Sequence, residues 1–281
     1  MVNHDGNILQ EDSTFLNHQN RGLRYGDALF ETLRAVNGKL IFWEDHYLRL
    51  MASMRILRME IPMDFTMEFL EDQIQQTLDA STSGQTASRV RLSVFRKKGG
   101  LYLPKTNDVS FVIETTPLKH SFFVLNEGSY EVELFKDFYV ASDMLSNLKT
   151  NNRIINIVGS IFAKENEYQN CLLLNKAKSV IEALNGNIFL VKGMHVKTPP
   201  LQDGCIDGVI RRKLIELLGK LDDYELEEAS VSPFELQKAD EIFITNSIVG
   251  IQPITKYRKK TFNKAVARDL LGKLNAAARF S

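Results

Sequence analysis

The dipeptide Asn37-Gly38 constrains the fold of this chain more than any other local feature. Apolar runs lie on both sides of it, within residues 26–43. Asn-Gly readily adopts the left-handed backbone conformation that a two-residue β-hairpin turn requires. The pattern therefore predicts two antiparallel strands that are joined at this dipeptide.

Helix and strand patterns alternate through the rest of the first part. Residues 44–59 and 66–80 are predicted helices, and the first of them begins with acidic residues that suit a helix N-terminus. Residues 89–96 alternate strictly between apolar and polar side chains, which indicates a strand with one polar face. Residues 109–115 are typical of another strand. The first part is therefore predicted to be an α/β domain.

The second part of the chain also mixes strands and helices. Its short apolar runs predict several strands, and longer patterns over residues 151–167 and 208–221 predict helices. Ser232-Pro233-Phe234-Glu235 has the sequence of a helix capping box. The predicted fold class is α/β (α+β) with two domains, and the predicted ranges are 1–117 for a small N-terminal domain, 118–125 for a linker and 126–281 for a large domain.

The composition limits the functional classes that the chain can belong to. It has 35 basic and 35 acidic residues and a pI near 7.0, which provides no basic surface for nucleic acid or for an acidic membrane. The two cysteines, Cys171 and Cys205, are too few and too far apart for a disulfide framework or a metal site. The chain lacks both the ~18-residue apolar run of a membrane span and the apolar stretch of a signal peptide. The sequence thus predicts a cytoplasmic protein without a metal.

Six short motifs follow one another in a defined order. The central motif surrounds Lys149 and reads Ser146-Asn147-Leu148-Lys149-Thr150-Asn151-Asn152-Arg153. Two motifs precede it and three follow it, at residues 24–32, 46–50, 182–189, 208–211 and 245–247. In this order they resemble the class IV aminotransferases, which are the fold-type IV pyridoxal phosphate enzymes. That family includes branched-chain and D-amino acid aminotransferases and 4-amino-4-deoxychorismate lyase.

The resemblance implies a fold, a cofactor and two central residues. It implies a small N-terminal α/β domain, a larger C-terminal domain with a mixed, barrel-like sheet, pyridoxal 5'-phosphate as cofactor and a homodimer as the assembly. Lys149 matches the Schiff-base lysine, and Glu182 matches the carboxylate that faces the pyridine nitrogen. Local sequence alone would make Lys149 a surface lysine and Glu182 an edge-strand residue. A protein that kept the fold but only binds ligands is the alternative, and the presence of both residues favours an enzyme.

The resemblance also implies a phosphate site. Arg49 matches the arginine of the family's His-x-x-Arg-Leu motif, and a guanidinium suits phosphate oxygens. Val209 and Ile210 open a predicted helix whose backbone N–H groups can bind an anion. The family often has threonine where Ile210 stands, so only the backbone contact carries over there. Asn246 and Ser247 match the remaining contacts on the phosphate side.

Two local departures favour the lyase within the family. Branched-chain enzymes tend to have Phe-Glu-Gly where this chain has Phe30-Glu31-Thr32, and in the lyases a threonine at this point lies near the reacting centre. Thr32 is therefore a second candidate catalytic residue. The spacing Lys149-x-x-Asn152-Arg153 also resembles the lyases. A branched-chain or D-amino acid aminotransferase, which would transfer an amino group to a 2-oxo acid, is the alternative.

Four further residues are candidates for binding the substrate. Arg96 and Tyr102 lie in a stretch that resembles the Arg…Gly-Gly…Tyr segment of the lyases. Arg24 and Arg153 are the other cations in the motifs that could hold a substrate carboxylate. Each of the four could equally be an exposed polar side chain.

Overall fold

The computed structural model describes residues 1–81 and 86–281, which form two compact units. The first unit contains Met1–Ser121, Lys149–Asn152 and Ser281. The second unit contains Phe122–Leu148 and Arg153–Phe280. The short segment around Lys149 therefore folds with residues that lie more than a hundred positions earlier in the chain.

Within the described residues, the first unit has one antiparallel sheet of six strands in the order β2-β1-β6-β5-β3-β4. The strands are β1 Val2–His4, β2 Asn7–Leu9, β3 Ala28–Val36, β4 Lys39–Leu40, β5 Ala87–Arg96 and β6 Val109–Pro117. The helices are α1 Arg21–Tyr25, α2 Trp43–Ile56 and α3 Met67–Ser81. The predicted hairpin, both long helices and both central strands are confirmed.

The hairpin turn follows the chemistry of its two residues. Asn37 and Gly38 both have positive φ, at 49° and 79°, as a turn that matches the twist of the strands requires. Strand alternation places Leu33 of β3 and Leu92 of β5 on the face that α2 and α3 cover. Both leucines are fully buried there. The opposite face of the same strands carries polar side chains.

The second unit has a mixed sheet with the path β12-β11-β10-β9-β8-β7-β15-β16, and β13 and β14 extend it from β10. Pairs β7–β8, β7–β15 and β11–β12 are parallel, and the others are antiparallel. The strands are β7 Glu131–Val140, β8 Asn170–Asn175, β9 Val180–Ala183, β10 Gly186–Lys192, β11 His195–Thr198, β12 Glu225–Glu228, β13 Glu241–Asn246, β14 Gly250–Ile254, β15 Lys256–Tyr257 and β16 Lys260–Thr261. The helices are α4 Ile154–Glu165, α5 Val209–Leu218, α6 Pro233–Leu236 and α7 Ala265–Phe280, with a 3-10 turn at Leu201–Asp203.

Helix ends in this unit are fixed by acidic side chains. The capping box is confirmed, because Ser232 and Glu235 bond reciprocally at the start of α6. At α7, the buried carboxylate of Glu241 accepts hydrogen bonds from the N–H groups of Ala265, Val266 and Ala267 at 2.8–3.1 Å. The carboxylate satisfies three of the four N–H groups that a helix N-terminus leaves without partners. Glu241 therefore joins β13 to the last helix.

We expect Glu241→Ala to lower the free energy of unfolding by about 3 kcal/mol, because the helix loses its charged cap and three N–H groups lose their acceptor. Urea unfolding measures this change. The matched control is Glu227→Ala, an exposed glutamate on β12, which should change the value by less than about 0.5 kcal/mol. Equal effects of the two substitutions would contradict the anchoring role of Glu241.

In the part of the chain that the structure describes, no helix combines the length and the apolar character needed to cross a bilayer.

Candidate active site

Lys149 is held against β3 by the backbone. The N–H of Phe30 donates to the carbonyl of Lys149 at 2.9 Å, and the N–H of Asn151 donates to the carbonyl of Ala28 at 3.0 Å. Thr150 forms the antiparallel bridge with Leu29 between these bonds. Because side chains alternate along paired strands, Lys149 lies on the same face as Phe30. Its Nζ is 4.6 Å from the centre of the Phe30 ring.

The same face of the sheet carries a hydroxyl on β3 and a second cation on β5. Thr32 follows Phe30 by two residues and therefore points to the same side. Arg91 of β5 pairs with Thr32 in the strand register, and its Cζ lies 3.9 Å from the centre of the Phe30 ring. The ring of Phe30 is thus in contact with two cations, Arg91 and Lys149. The sequence interpretation missed Arg91, although the alternation of residues 89–96 puts it on the polar face of the strand.

Arg49 lies in a buried charged cluster of the first unit. Its Nε donates to Glu31 Oε1 at 2.8 Å and its Nη2 donates to Glu31 Oε2 at 2.5 Å. His46, one turn earlier on α2, places Nδ1 2.7 Å from Glu31 Oε2. Burial alone would raise the pKa of Glu31, but the charge of Arg49 and hydrogen bonds from His46 and Arg49 lower it to about 2. Glu31 is therefore ionised at neutral pH.

The predicted substrate residues of the first unit have different surroundings. Arg96 lies on the opposite face of β5 from Arg91 and donates to Asp27, Asn107 and the carbonyls of Leu57 and Arg58. These bonds secure the end of β5, which gives the Arg96 side chain a structural use. Tyr102 is 88% exposed, and Arg24 is exposed with its guanidinium over the ring of Tyr25. Strand alternation separates Arg96 from the face that carries Lys149.

Arg153 belongs to the second unit. It precedes α4, and its Nη2 donates to the carbonyl of Leu148 at 2.7 Å. This bond joins the two residues that flank the segment 149–152.

Glu182 lies on β9 and is 5% exposed. Its Oε2 accepts a hydrogen bond from the N–H of Ile206 at 2.9 Å, and Asn187 donates from Nδ2 to the carbonyl of the same Ile206 at 2.8 Å. Burial and the Glu182 carboxylate raise the pKa of the neighbouring Cys205 thiol to about 12, which keeps the thiol protonated. The two side chains, Glu182 and Asn187, therefore fix the peptide that leads into α5.

The start of α5 has the properties of an anion site. Gly208 is its N-cap, no side chain caps it, and its first turn has no acidic residue. A Cβ on Gly208 would lie 2.0 Å from Asn187 Oδ1, so only glycine fits. The N–H groups of Val209 and Ile210 belong to the first turn, where a helix supplies no internal acceptor and anions are favoured. Both predicted residues therefore lie at a helix end that suits a phosphate.

The loop after β13 supplies further polar groups in the same unit. Asn246 organises this loop, because its Nδ2 donates to the carbonyl of Asn185 and its Oδ1 accepts from the N–H groups of Ile248 and Val249. Ser247 is half-buried beside it. Thr245 is 2% exposed, and its hydroxyl has no hydrogen-bond partner among the described residues. A buried hydroxyl without a partner costs about 1–3 kcal/mol, so a bound group that supplies one fits this loop.

A sequence profile described as "Amino-transferase class IV" matches residues 28–257. The chain belongs to this family. It is 27% identical over 237 residues to an aminodeoxychorismate lyase of Vibrio harveyi, a match that covers 84% of each chain. It is also 27% identical over 276 residues to a putative branched-chain-amino-acid aminotransferase of Methanocaldococcus jannaschii, covering 96% of this chain and 92% of the relative. A branched-chain aminotransferase structure from Thermoproteus uzoniensis shares the fold, with a TM-score of 0.87, 24% identity and coverage of 97% and 92%.

Class IV aminotransferases, and this protein as a member of the family, use pyridoxal phosphate as their cofactor. The residues of this chain fit that group on structural grounds. Lys149 is half-buried in a segment that is hydrogen-bonded to β3, Glu182 is a buried carboxylate, and the α5 N-terminus and the Thr245 hydroxyl offer donors suited to a phosphate. Thr245 was missed from sequence, because a threonine in a buried strand does not reveal that its hydroxyl lacks a partner.

Proposed function

We propose that the protein is a 4-amino-4-deoxychorismate lyase, which releases pyruvate and leaves 4-aminobenzoate. The observation that carries this proposal is the position of Thr32, whose hydroxyl shares the face of β3 that bears Phe30 and the Lys149 amine. A hydroxyl on this side can pass a proton to a leaving oxygen. The similarity to the Vibrio harveyi aminodeoxychorismate lyase supports the same reaction.

Each residue has a role in the proposed reaction that its chemistry permits. When bound, pyridoxal phosphate would withdraw electrons from the ring carbon of the substrate that bears the amino nitrogen. Lys149 would hold the cofactor, and its amine, when free, would take the proton from that ring carbon. Thr32 assists the departure of the enolpyruvyl oxygen. Loss of the proton and of the enolpyruvyl group makes the ring aromatic, and the released enol becomes pyruvate.

Further residues are proposed to bind the cofactor. Glu182 supplies the negative charge that stabilises a protonated pyridine nitrogen. Arg49, Ser247 and the N–H groups of Val209 and Ile210 hold the phosphate, and Asn246 keeps the loop that carries Ser247 in place.

Arg91 is the substrate-carboxylate contact in this proposal. It contacts the ring of Phe30 beside the Lys149 amine, whereas Arg96 donates to protein acceptors on the other face of β5. Guanidinium groups bind carboxylates through paired hydrogen bonds. In this proposal Arg153 keeps its assignment to the substrate, Arg91 is added to it, and Arg96 is assigned to the fold.

The test is an assay with 4-amino-4-deoxychorismate, the protein and pyridoxal phosphate, in the absence of any 2-oxo acid. The proposal predicts equal amounts of 4-aminobenzoate and pyruvate over many turnovers, and a much slower reaction in Thr32→Gly. Serine at position 32 keeps a hydroxyl and should preserve most of the rate. Absence of both products from the wild-type protein would overturn the lyase assignment.

A class IV transaminase is the second candidate. The match to the putative branched-chain-amino-acid aminotransferase extends over 96% of this chain, which is more than the lyase match covers. Lys149, Glu182 and the phosphate site would keep their roles, but the amino group would pass to a 2-oxo acid. Conversion of the bound cofactor to its amine form by D-alanine, L-leucine or L-glutamate, without lyase products, would favour this candidate.

The proposed assembly is a homodimer in the cytoplasm that serves folate synthesis. An apolar surface of the second unit supports self-association. The isoleucines on the outer side of α4 recur at helical spacing, and their exposed fractions are 67%, 54% and 52% for Ile154, Ile157 and Ile161. The segment before α4 also exposes apolar residues, namely Phe138, Tyr139, Met144 and Leu145. Apolar surfaces can pair with themselves around a two-fold axis.

We expect Ile157→Glu to convert the dimer into a monomer, because two carboxylates would be buried against each other. Sedimentation equilibrium should give twice the 32.0 kDa chain mass for the wild type and a single chain for the variant. Met194→Glu alters an equally exposed apolar residue outside this surface and should remain dimeric. A monomeric wild type, or a dimeric Ile157→Glu, would refute this interface.

A further inference from the structure

Three ionisable side chains form a buried cluster between β3 and α2. Glu31 is 1% exposed, His46 is 0% exposed and Arg49 is 8% exposed. Glu31 uses both carboxylate oxygens in this cluster: Oε1 accepts from Arg49, and Oε2 accepts from Arg49 and from His46. Removing charged groups from water is costly unless geometry and pairing are good. Glu31 and Arg49 meet this condition, because two parallel hydrogen bonds join the guanidinium to the two carboxylate oxygens.

The pair limits how the guanidinium can turn. An unpaired arginine samples many side-chain rotamers, whereas two parallel N–H···O bonds fix the plane of the guanidinium. Glu31 occupies the Nε–Nη2 edge of Arg49. That edge is therefore occupied, and Glu31 sets the plane in which the other donors of Arg49 lie.

His46 completes the cluster as a neutral donor. Burial lowers the pKa of His46, the bond to Glu31 and its charge oppose this shift, and the charges of Arg49 and Lys149 lower the pKa further. A neutral imidazole with its proton on Nδ1 donates to Glu31 and leaves Nε2 as an acceptor. Nε2 is buried without a hydrogen-bond partner among the described residues. The useful contact of His46 is thus the Nδ1 bond, which stops Glu31 from rotating away from Arg49.

We propose that Glu31 and His46 are positioning residues for the cofactor phosphate, because together they hold the Arg49 guanidinium in its phosphate-binding orientation. This inference rests on the proposed function, in which Arg49 contacts that phosphate. Neither residue needs to touch the cofactor. Their contribution is to remove the orientational freedom of Arg49 before the phosphate arrives, which lowers the entropic cost of binding.

The test compares two ligands that differ only in the phosphate. Dissociation constants for pyridoxal phosphate and for pyridoxal are measured by equilibrium dialysis, and their ratio isolates the phosphate contribution. Arg49→Ala should abolish most of the preference for pyridoxal phosphate. Glu31→Gln should weaken pyridoxal phosphate binding by ~10–100-fold, as removal of supporting partners around a binding group does, and leave pyridoxal binding unchanged.

His46 variants continue the test without leaving a buried charge unpaired, even if Glu31→Gln fails to fold. His46→Leu removes the donor to Glu31 and should weaken only pyridoxal phosphate binding. His46→Asn places an amide N–H near the position of Nδ1 and should restore the wild-type ratio to within about twofold, because a single retained hydrogen bond accounts for the role. Glu71→Gln, on the exposed side of α3, is the control and should leave both constants unchanged.

The outcomes separate this inference from the proposed function. If Arg49→Ala reduces the ratio but His46→Leu and Glu31→Gln do not, the positioning role is overturned and the phosphate site stands. If His46→Leu weakens both ligands equally, or His46→Asn behaves like His46→Leu, the positioning role is also overturned. If the wild type binds both ligands equally, or Arg49→Ala leaves the ratio unchanged, the phosphate assignment of Arg49 fails and the inference fails with it.

Discussion

Lys149→Ala should lower kcat by about 10⁴-fold, at the upper end of the range for a group that transfers protons. The expected loss is this large because, in the proposed function, one amine would both anchor the cofactor and take the substrate proton. The fold should survive, since Lys149 is bound to β3 through backbone hydrogen bonds that alanine retains. The side-chain contact with Phe30 contributes only about 0.5–1 kcal/mol at a partly exposed site. Steady-state kinetics and circular dichroism measure the two effects.

Lys149→Arg separates positive charge from amine chemistry. Arginine keeps the cation beside the Phe30 ring, but its guanidinium, with a pKa above ~12, stays protonated and is no base. We expect the same loss of activity as in Lys149→Ala. Lys192→Ala, at an exposed lysine on β10, is the matched control and should be fully active. Substantial activity in Lys149→Arg would contradict the role of the lysine amine.

Glu182→Gln should lower kcat by ~10²–10³-fold, the usual effect of removing one preorganised electrostatic group from an active site. Glutamine retains the size of the side chain and an oxygen that can accept from the N–H of Ile206. It cannot supply the negative charge that keeps a pyridine nitrogen protonated. The substitution should therefore reduce the rate while the free energy of unfolding stays close to that of the wild type.

A control variant isolates the effect of position. Glu225→Gln removes a carboxylate from β12, where its partner is the exposed His195. This change should leave kcat unaltered. Absorbance spectra of cofactor-loaded Glu182→Gln should differ from the wild-type spectra, because the charge opposite the ring nitrogen is gone. An unchanged spectrum together with full activity would show that Glu182 does not face the cofactor.

Much of the fold could be predicted because its signals are local. Asn37-Gly38 specified a hairpin turn through its own backbone preferences, and Ser232 with Glu235 specified a helix start. Strict alternation over residues 89–96 predicted a strand with two different faces, and β5 has them. The N-terminal β1–β2 hairpin, α1 and β14 were missed, since these elements are short and gain their stability from neighbouring strands or helices.

The motifs provided the candidate site only as a list of residues. They assigned roles to Lys149, Glu182 and the start of α5, but they could not show that Lys149 pairs with β3 through Thr150 and Leu29. Such pairing depends on contacts across more than a hundred residues, which local patterns do not encode. The cluster of Glu31 with His46 and Arg49 was overlooked for the same reason. Three polar residues at these positions give no sign of burial until the helix lies on the sheet.

Reductive trapping of the cofactor would show which lysine binds it. The protein is loaded with pyridoxal phosphate, treated with borohydride to make the attachment permanent, digested with trypsin and analysed by mass spectrometry. We expect one cofactor per chain, on a peptide of residues 137–153 in which cleavage after Lys149 is blocked. Attachment at a different lysine, or no attachment, would contradict the assignment of Lys149 as the residue that holds the cofactor.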